Sequence, residues 1–494
     1  MHDSLCGRRI LLIDLNNFAF YPTLAVGYLV AALRSAGCHV EVLSPLACGV
    51  KGVAHERSGT ALGRFQERLF FSTHPLIEMS RDALWTIRSR WQARPHPEVI
   101  GSLDNSLEAG IDAILLSAYP QHRATVASIS RRAASNNVPV ILGGPFFNIP
   151  DVVRAWIDIP GLSAIVGGEM DFALPELISQ VVRGQDFGTT PGVFLPDGRG
   201  GVPAPPLAPL TGLPIPDFSD FPWNRYPNRI IPLMTGRGCG WGACTFCSDV
   251  VTANGRSFRS RPVAEVLDEL ETQAQCYGTE NFILLDIMLN SDLSMWRALL
   301  DNFQHRVPGA RWMATVRVGK TEEDGLSAEK LRTAHDAGLT RLTFGLETGS
   351  QRLNDSMARG TTIERMSQCI REGHAAGISM RTSVMCGYPE ETSSDIDATC
   401  TFLSRHAQYL DEARLARFKI LPETAFAQMY EADPTRFSSI SPPRWNHIHG
   451  YATYRYKPAR SQAYRQATSR LLRQIHEINH KPLRAEASDL AGAM

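Results

Sequence analysis

Cys239, Cys244 and Cys247 stand within one glycine-rich stretch, Arg237-Gly238-Cys239-Gly240-Trp241-Gly242-Ala243-Cys244-Thr245-Phe246-Cys247. Thiolates are soft ligands, and the C-x4-C-x2-C spacing puts three of them on one small concave surface. An iron-sulfur cube takes four ligands, so three cysteines would leave one iron open to a small molecule. Zinc is the competing reading. A structural zinc site closes with four protein ligands, however, and the next cysteine, Cys276, lies a whole predicted helix away. Three bystander thiols in a packed loop are the plainest alternative, although glycine-rich loops rarely gather three close cysteines for packing alone.

A loop of this kind needs a rigid element to deliver it, and an apolar run from Ile230 to Met234 reads as the strand that ends there. Further strand-helix units follow, with strands expected at Asn281–Asp286, Arg311–Arg317, Leu339–Gly345, Ser379–Met385 and Leu415–Leu421. Six such units make a partial, open (β/α)6 barrel of the TIM type over residues 230–425, with its active face at the carboxyl ends of the strands. Asp286, Arg317 and Glu347 all fall at such ends. Taken singly, each is as well explained by a surface ion pair.

The N-terminal part, residues 1–185, alternates in the same way. Strands are expected at Ile10–Asp14, His39–Leu43, Ala113–Ser117, Val138–Leu142 and Ala164–Val166, with helices over Thr23–Ser35, Arg123–Asn136 and Phe172–Arg183. This is the α/β pattern of an open, doubly wound, Rossmann-like sheet, which binds ligands at the carboxyl ends of its strands. Gly143-Gly144 and Gly167-Gly168 sit at two such ends, where glycine serves either a tight turn or the approach of a bulky group. The interval 44–110 is long for a connection and carries Phe70, Phe71, Trp85 and Trp91. Recurrent prolines make residues 186–229 read as a stiff extended connector. Residues 426–494 form a mainly helical C-terminal segment with a helix expected at Gln462–Asn479. Ahead of that helix lies an aromatic and basic stretch including Trp445, His447, His449, Tyr454 and Arg455. It reads as a cap on the barrel, or as a closure of the barrel mouth that contacts an anionic or aromatic substrate.

The cysteine loop, with Phe246 just before its last cysteine, resembles that of the radical S-adenosylmethionine (SAM) enzymes, though it carries four residues where C-x3-C-x2-C has three. The runs Leu342-Thr343-Phe344-Gly345-Leu346-Glu347-Thr348-Gly349-Ser350, Met357-Ala358-Arg359-Gly360-Thr361-Thr362 and Met385-Cys386-Gly387-Tyr388-Pro389-Glu390-Glu391-Thr392 resemble the core of the cobalamin-dependent members. Tyr21-Pro22, Ile141-Leu142-Gly143-Gly144-Pro145 and Ile165-Val166-Gly167-Gly168-Glu169 are similar to the cobalamin-binding domain that precedes many of them. The resemblance implies a [4Fe-4S] cluster on Cys239, Cys244 and Cys247, and a SAM site formed by Phe246, Asp286, Arg317, Glu347 and Gly387. It further implies a cobalamin pocket lined by Asn16, Ser117, Gly143, Gly144, Gly167, Gly168 and Glu169. Arg359 stands where many relatives have lysine. The loop after the first strand, Asp14-Leu15-Asn16-Asn17-Phe18-Ala19, lacks the histidine that ligates cobalt from below in other cobalamin domains, and His74 is the remaining candidate for that position.

The implied activity is a methyltransferase acting on an unactivated carbon, or phosphorus, of a small-molecule or peptide substrate in specialised metabolism. Methylcobalamin would supply the methyl group, a 5'-deoxyadenosyl radical would abstract hydrogen, and a flavodoxin or ferredoxin would supply electrons. A radical rearrangement, ring contraction or cyclisation without methyl transfer is the first alternative; a non-catalytic corrinoid-binding protein is the second. Composition narrows the classes. Fifty basic and fifty acidic residues cancel, which disfavours nucleic acid as a partner. The N-terminal apolar run is too short for a signal peptide or membrane helix, so a cytoplasmic protein with no membrane partner is expected. Ten cysteines then read as a metal site plus free thiols.

Overall fold

The computed structural model describes residues 5–16, 20–52, 61–92, 94–247, 257–482 and 484–490. The first sheet holds β1 (Arg9–Asp14), β2 (His39–Leu43), β3 (Ala113–Ser117), β4 (Val140–Gly143), β5 (Ala164–Val166) and β6 (Val193–Phe194), in the order β2-β1-β3-β4-β5-β6. Ile10 to Ile13 are wholly buried, as a central parallel strand covered on both faces must be. Helices Leu24–Ser35 and Leu174–Val182 cover one face; Pro97–Glu108, Arg123–Ser135 and Pro150–Trp156 cover the other. Strand β4 begins at Val140, two residues later than expected, because Pro139 has no N–H to give the ladder. The order reverses between β1 and β3, so their carboxyl ends, Asp14 and Ser117 in register, frame the crevice where such sheets take ligands.

Residues 186–229 do more than connect. Within them β6 pairs antiparallel with β5, and Leu210, Leu213, Phe218, Phe221 and Tyr226 are buried in the same apolar cluster as the helix Leu24–Ser35. Gly27 on that helix leaves room for this packing, since a Cβ there would meet the Phe218 ring at 2.3 Å.

The second sheet consists of β7 (Ile231–Leu233), β10 (Asn281–Leu284), β11 (Arg311–Val316), β12 (Leu339–Glu347), β13 (Ser379–Cys386) and β14 (Glu412–Arg417), all parallel, in the order β14-β13-β12-β11-β10-β7. It is an open half-barrel. Side chains alternate across it: Leu342, Phe344 and Leu346 are buried toward the outer helices, while Arg341, Thr343 and Gly345 face the lumen. A two-residue ribbon, β8 (Gly236–Arg237) and β9 (Arg259–Ser260), leads from β7 into the cysteine loop and out of it. Strand β14 begins three residues before the expected 415–421, because Glu412 and Arg414 alternate with apolar residues and break the hydrophobic run.

Helices Ala61–Phe71 and Pro75–Gln92 occupy part of the long interval 44–110. The first leans on the C-terminal helix Gln462–Asn479, with Arg64 Nη1 at 2.9 Å from His476 Nε2, and Arg417 donates to Phe70 O at 2.8 Å. Phe70 and Phe71 therefore serve the second sheet. The side chains of Trp85 and Trp91 lie outside the described residues. The C-terminal segment adds a hairpin, β15 (Arg444–Asn446) and β16 (Tyr451–Thr453), that docks on the first domain: Trp156 Nε1 donates to Ile448 O at 3.0 Å. Among the described residues no helix is long and apolar enough to cross a membrane.

Candidate functional site

The three cysteines lie at the carboxyl end of β7, half-buried and without disulfides. The loop is pinned at both ends. At its root, both Asp286 oxygens are taken by the chain itself: Thr235 N and Gly236 N donate to Oδ1 at 3.2 and 2.8 Å, Thr235 Oγ1 to the same oxygen at 2.7 Å, and Thr235 N also to Oδ2 at 3.0 Å. Burial still lifts this carboxyl to about 6. The expectation from sequence places Asp286 at the SAM site; in the structure both its oxygens accept from the strand end that feeds the loop. At its tip, Thr245 N donates to Met357 O at 3.1 Å and Thr245 Oγ1 lies 2.9 Å from the Tyr388 hydroxyl.

Trp241 reaches across the loop. Its Nε1 donates to Ala358 O at 2.9 Å, and the Arg317 guanidinium lies 3.9 Å from its ring centroid, a cation–π contact. Arg317 in turn donates to the carbonyls of Arg359 and Gly360, both at 2.7 Å. Arg359 stands beside Phe246 and pairs loosely with Glu347, its Nη1 3.9 Å from Oε1. Glu347 also accepts from Ser383 Oγ at 3.3 Å, and it adopts φ +60°, a conformation costly for a side chain other than glycine. Two guanidiniums thus flank the loop. Burial raises the Cys244 thiol, and Arg359 and Arg317 oppose that rise. Gly387 (φ +81°) ends β13 nearby, its N–H bound by Glu391 Oε2 at 2.7 Å. Phe246, Arg317, Glu347 and Gly387 therefore share the cysteine end of the lumen.

This donor set suits a three-ligand cluster: three accessible thiols, an N–H from Gly242 aimed at Cys239 Sγ at 3.5 Å, and flanking cations. Among the described residues no three His, Cys, Asp or Glu side chains converge in metal-holding geometry, so the loop presents its thiols without closing them on one point. Gly360 makes the loop testable. It has φ +59°, and a Cβ there would lie 2.1 Å from Trp241 Cζ2 and 2.8 Å from Arg317 Nη2. The substitution Gly360→Ala is expected to cost about 1–3 kcal/mol and to part the stacked pair. A lowered melting midpoint, with less iron retained after gel filtration, would show it.

The crevice of the first sheet contains Asn16 and Ser117, joined by a 3.2 Å hydrogen bond; Asn16 Oδ1 is buried without a partner among the described residues. Such an orphan acceptor suits an amide donor from a ligand. A Cβ at Gly143 would be in ordinary contact, 3.8 Å from Val166 O, so no close approach demands glycine there. The other glycines serve the chain itself, since Cβ atoms at Gly144, Gly167 and Gly168 would lie 2.4 Å from Ala118 O, 2.3 Å from Phe147 O and 2.5 Å from Ala204 Cβ. Glu169 is also committed. It grips Arg259 at 2.7 and 3.0 Å and accepts from Leu207 N at 2.7 Å, while Arg237 grips Asp171 at 2.7 and 2.8 Å. Glu169 and Asp171 therefore dock the first domain onto the ribbon that carries the cysteine loop, while Gly167 and Gly168 pack closely on Phe147 and Ala204. Sequence reasoning missed Arg237, Arg259 and Asp171, because ion pairs between distant segments leave no periodic signal. His74 is exposed. Residues 17–19 of the loop after β1 lie outside the described residues, and the described part, Asp14–Asn16, holds no histidine.

Asp14 and Glu391 are fully buried carboxyls that desolvation raises to about 7 each. A carboxyl with a raised folded pKa favours the fold while protonated, and that contribution is lost as pH rises through about 7. Stability should therefore fall between about pH 4, where the unfolded carboxyls ionise, and about pH 7, by up to about 1.4 kcal/mol per pH unit for each group, and level off above that. Melting curves across that range, with Glu391→Gln shallower than the parent, are the check.

Residues 233–403 match the radical SAM superfamily. An uncharacterized methyltransferase of Pyrococcus horikoshii is 26% identical over 305 residues, which cover 60% of this chain and 63% of that protein. TsrM of Kitasatospora setae, a radical S-adenosylmethionine methyltransferase solved with a tryptophan substrate and a SAM analogue, superposes with a TM-score of 0.65 at 17% identity. The match spans 95% of this chain and 89% of that one. OxsB, a cobalamin-dependent S-adenosylmethionine radical enzyme, superposes with a TM-score of 0.68 at 16% identity over 92% of this chain and 65% of that one. At these identities the structural likeness establishes the fold.

Proposed function

From a chain that carries a radical SAM domain over residues 233–403 and has the two-sheet fold of TsrM and OxsB, we propose a cobalamin-dependent radical SAM methyltransferase. Its target is an unactivated carbon, or phosphorus, of a small molecule or peptide. One observation carries the reading. Tyr21, which follows the β1 crevice, packs against Ile283 and Met313 of the same sheet that delivers the thiol loop, which supports a corrinoid and a cluster acting on one substrate.

When bound, the cluster and SAM supply hydrogen-abstracting radical chemistry, and the corrinoid supplies a methyl group. The chain's own residues hold and orient. Cys239, Cys244 and Cys247 would hold the cluster, which would bind SAM. Arg317 and Arg359 put positive charge beside it, which favours an anionic group there. Phe246 and the Gly387 backbone would hold the adenine, and Glu347 the ribose or methionine part. Asn16, Ser117 and Gly143 line the crevice for the nucleotide tail of the corrinoid. A flavodoxin- or ferredoxin-type protein delivers the electrons.

The experiment is anaerobic reconstitution with iron, sulfide and hydroxocobalamin, then incubation with methyl-labelled SAM, a reductant and candidate substrates. Methyl transfer requires both deoxyadenosine and adenosylhomocysteine. Deoxyadenosine alone would assign a rearrangement or cyclisation instead. A protein that takes up neither iron nor corrinoid would end the proposal.

A further inference from the structure

Three tyrosines of the C-terminal segment converge on the turn that follows β13. The Tyr454 hydroxyl donates to the Gly387 carbonyl, the Tyr456 hydroxyl to the Glu391 carbonyl, and the Tyr464 hydroxyl to Glu391 Oε2. Glu391 passes the grip inward, because the same oxygen accepts the Gly387 N–H at 2.7 Å. Both polar atoms of the Gly387 peptide units that face this segment are thereby fixed by side chains it supplies or orients. Tyr388, within the turn, meets Thr245 between Cys244 and Phe246 at 2.9 Å, and Thr245 O accepts from Phe426 N at 2.9 Å. The turn at the SAM end of β13 and the cysteine loop are thus held together by residues from beyond the barrel. Tyr456 and Tyr464 are buried and Tyr454 is half-buried, so the Tyr456 and Tyr464 hydroxyls would lose a hydrogen bond without gaining water if their partner moved.

We infer that Tyr454 is a positioning residue for the nucleoside end of SAM: its hydroxyl, with Glu391 and Tyr464 behind it, sets the plane of the Gly387 peptide against which the adenine packs. The C-terminal segment is then part of the cosubstrate site and more than a cap. This rests on the reading of Gly387 as an adenine contact.

The test separates the two ends of the ligand. The reconstituted full-length protein is titrated with S-adenosylhomocysteine, which carries the adenine, and with methionine, which does not. Tyr454→Phe deletes one hydroxyl and keeps the ring. It should weaken S-adenosylhomocysteine about five- to tenfold and leave methionine unchanged. Glu391→Leu should do at least as much, and Glu391→Gln, which keeps an acceptor of the same shape, should restore most of the affinity. Equal affinity of Tyr454→Phe and the parent for S-adenosylhomocysteine would overturn the inference, as would a parallel loss for methionine, which marks a general disturbance. A parent protein that binds no S-adenosylhomocysteine would instead sink the functional reading on which the inference is built.

Discussion

Replacing Cys244 with alanine is expected to abolish deoxyadenosine formation and to leave the protein with little bound iron. The effect is near total because the ligand set has no reserve. Among the described residues no group of three His, Cys, Asp or Glu side chains converges elsewhere to take over, nor do the three thiols themselves close on one point, and Cys276 is exposed on the helix Val263–Tyr277. Two thiolates and a glycine-rich loop cannot hold a cube that already lacks a fourth protein ligand. Cys239→Ala and Cys247→Ala should behave alike, since all three are half-buried in one loop, whereas Cys276→Ala should match the parent in iron content. Iron and sulfide analysis after anaerobic gel filtration gives the answer without any substrate. A Cys244→Ala protein that kept its full iron would make the cluster assignment untenable.

The parts of this site that local spacing encodes could be read from the chain; the parts that tertiary contacts encode could not. That three close cysteines follow an apolar strand, and that Arg317 and Glu347 end strands on the same face, was legible because a parallel half-barrel places such ends together. Asp286 shows the limit. Its type and position are those of a ligand-facing carboxylate, yet the backbone of Thr235 and Gly236 needed satisfying and took it first. The glycine pairs show it again. Gly143 would accept a Cβ in ordinary contact, but Gly144, Gly167 and Gly168 are glycines because Ala118, Phe147 and Ala204 come too close for any side chain. The prolines of residues 186–229 masked a set of buried apolar residues, Leu210 to Tyr226, whose partners lie on a helix two hundred residues earlier. No window on the sequence contains both sides of such a contact.

The joint between the two sheets should be the most fragile element of the fold, and the pair Arg261–Glu269 is its test. Arg261 leaves β9 and is wholly enclosed. Its Nη2 meets Glu269 Oε2 at 2.6 Å, with side-chain exposures of 1% and 0%, while Nη1 donates to Met234 O at 2.9 Å and to the Tyr28 hydroxyl of the first domain at 3.1 Å. Burial disfavours the charged carboxylate of Glu269, and the guanidinium beside it opposes that. Removing either partner leaves an uncompensated charge or an unfilled donor in the interior, at a cost of about 3–5 kcal/mol. Arg261→Met should therefore lower the melting midpoint by several degrees and, by freeing the Met234 carbonyl and Tyr28, loosen the first domain from the ribbon that carries the thiols. Glu269→Leu alone should be as harmful, since the guanidinium cannot neutralise itself. The double variant Arg261→Met/Glu269→Leu puts apolar bulk where both charges were and should recover much of the loss, because a well-packed apolar pair in the interior is often no less stable than the ion pair it replaces. A double variant that loses the sum of the two single effects would mean that the pair does not act as a unit and that the hydrogen bonds to Met234 and Tyr28 hold the joint instead.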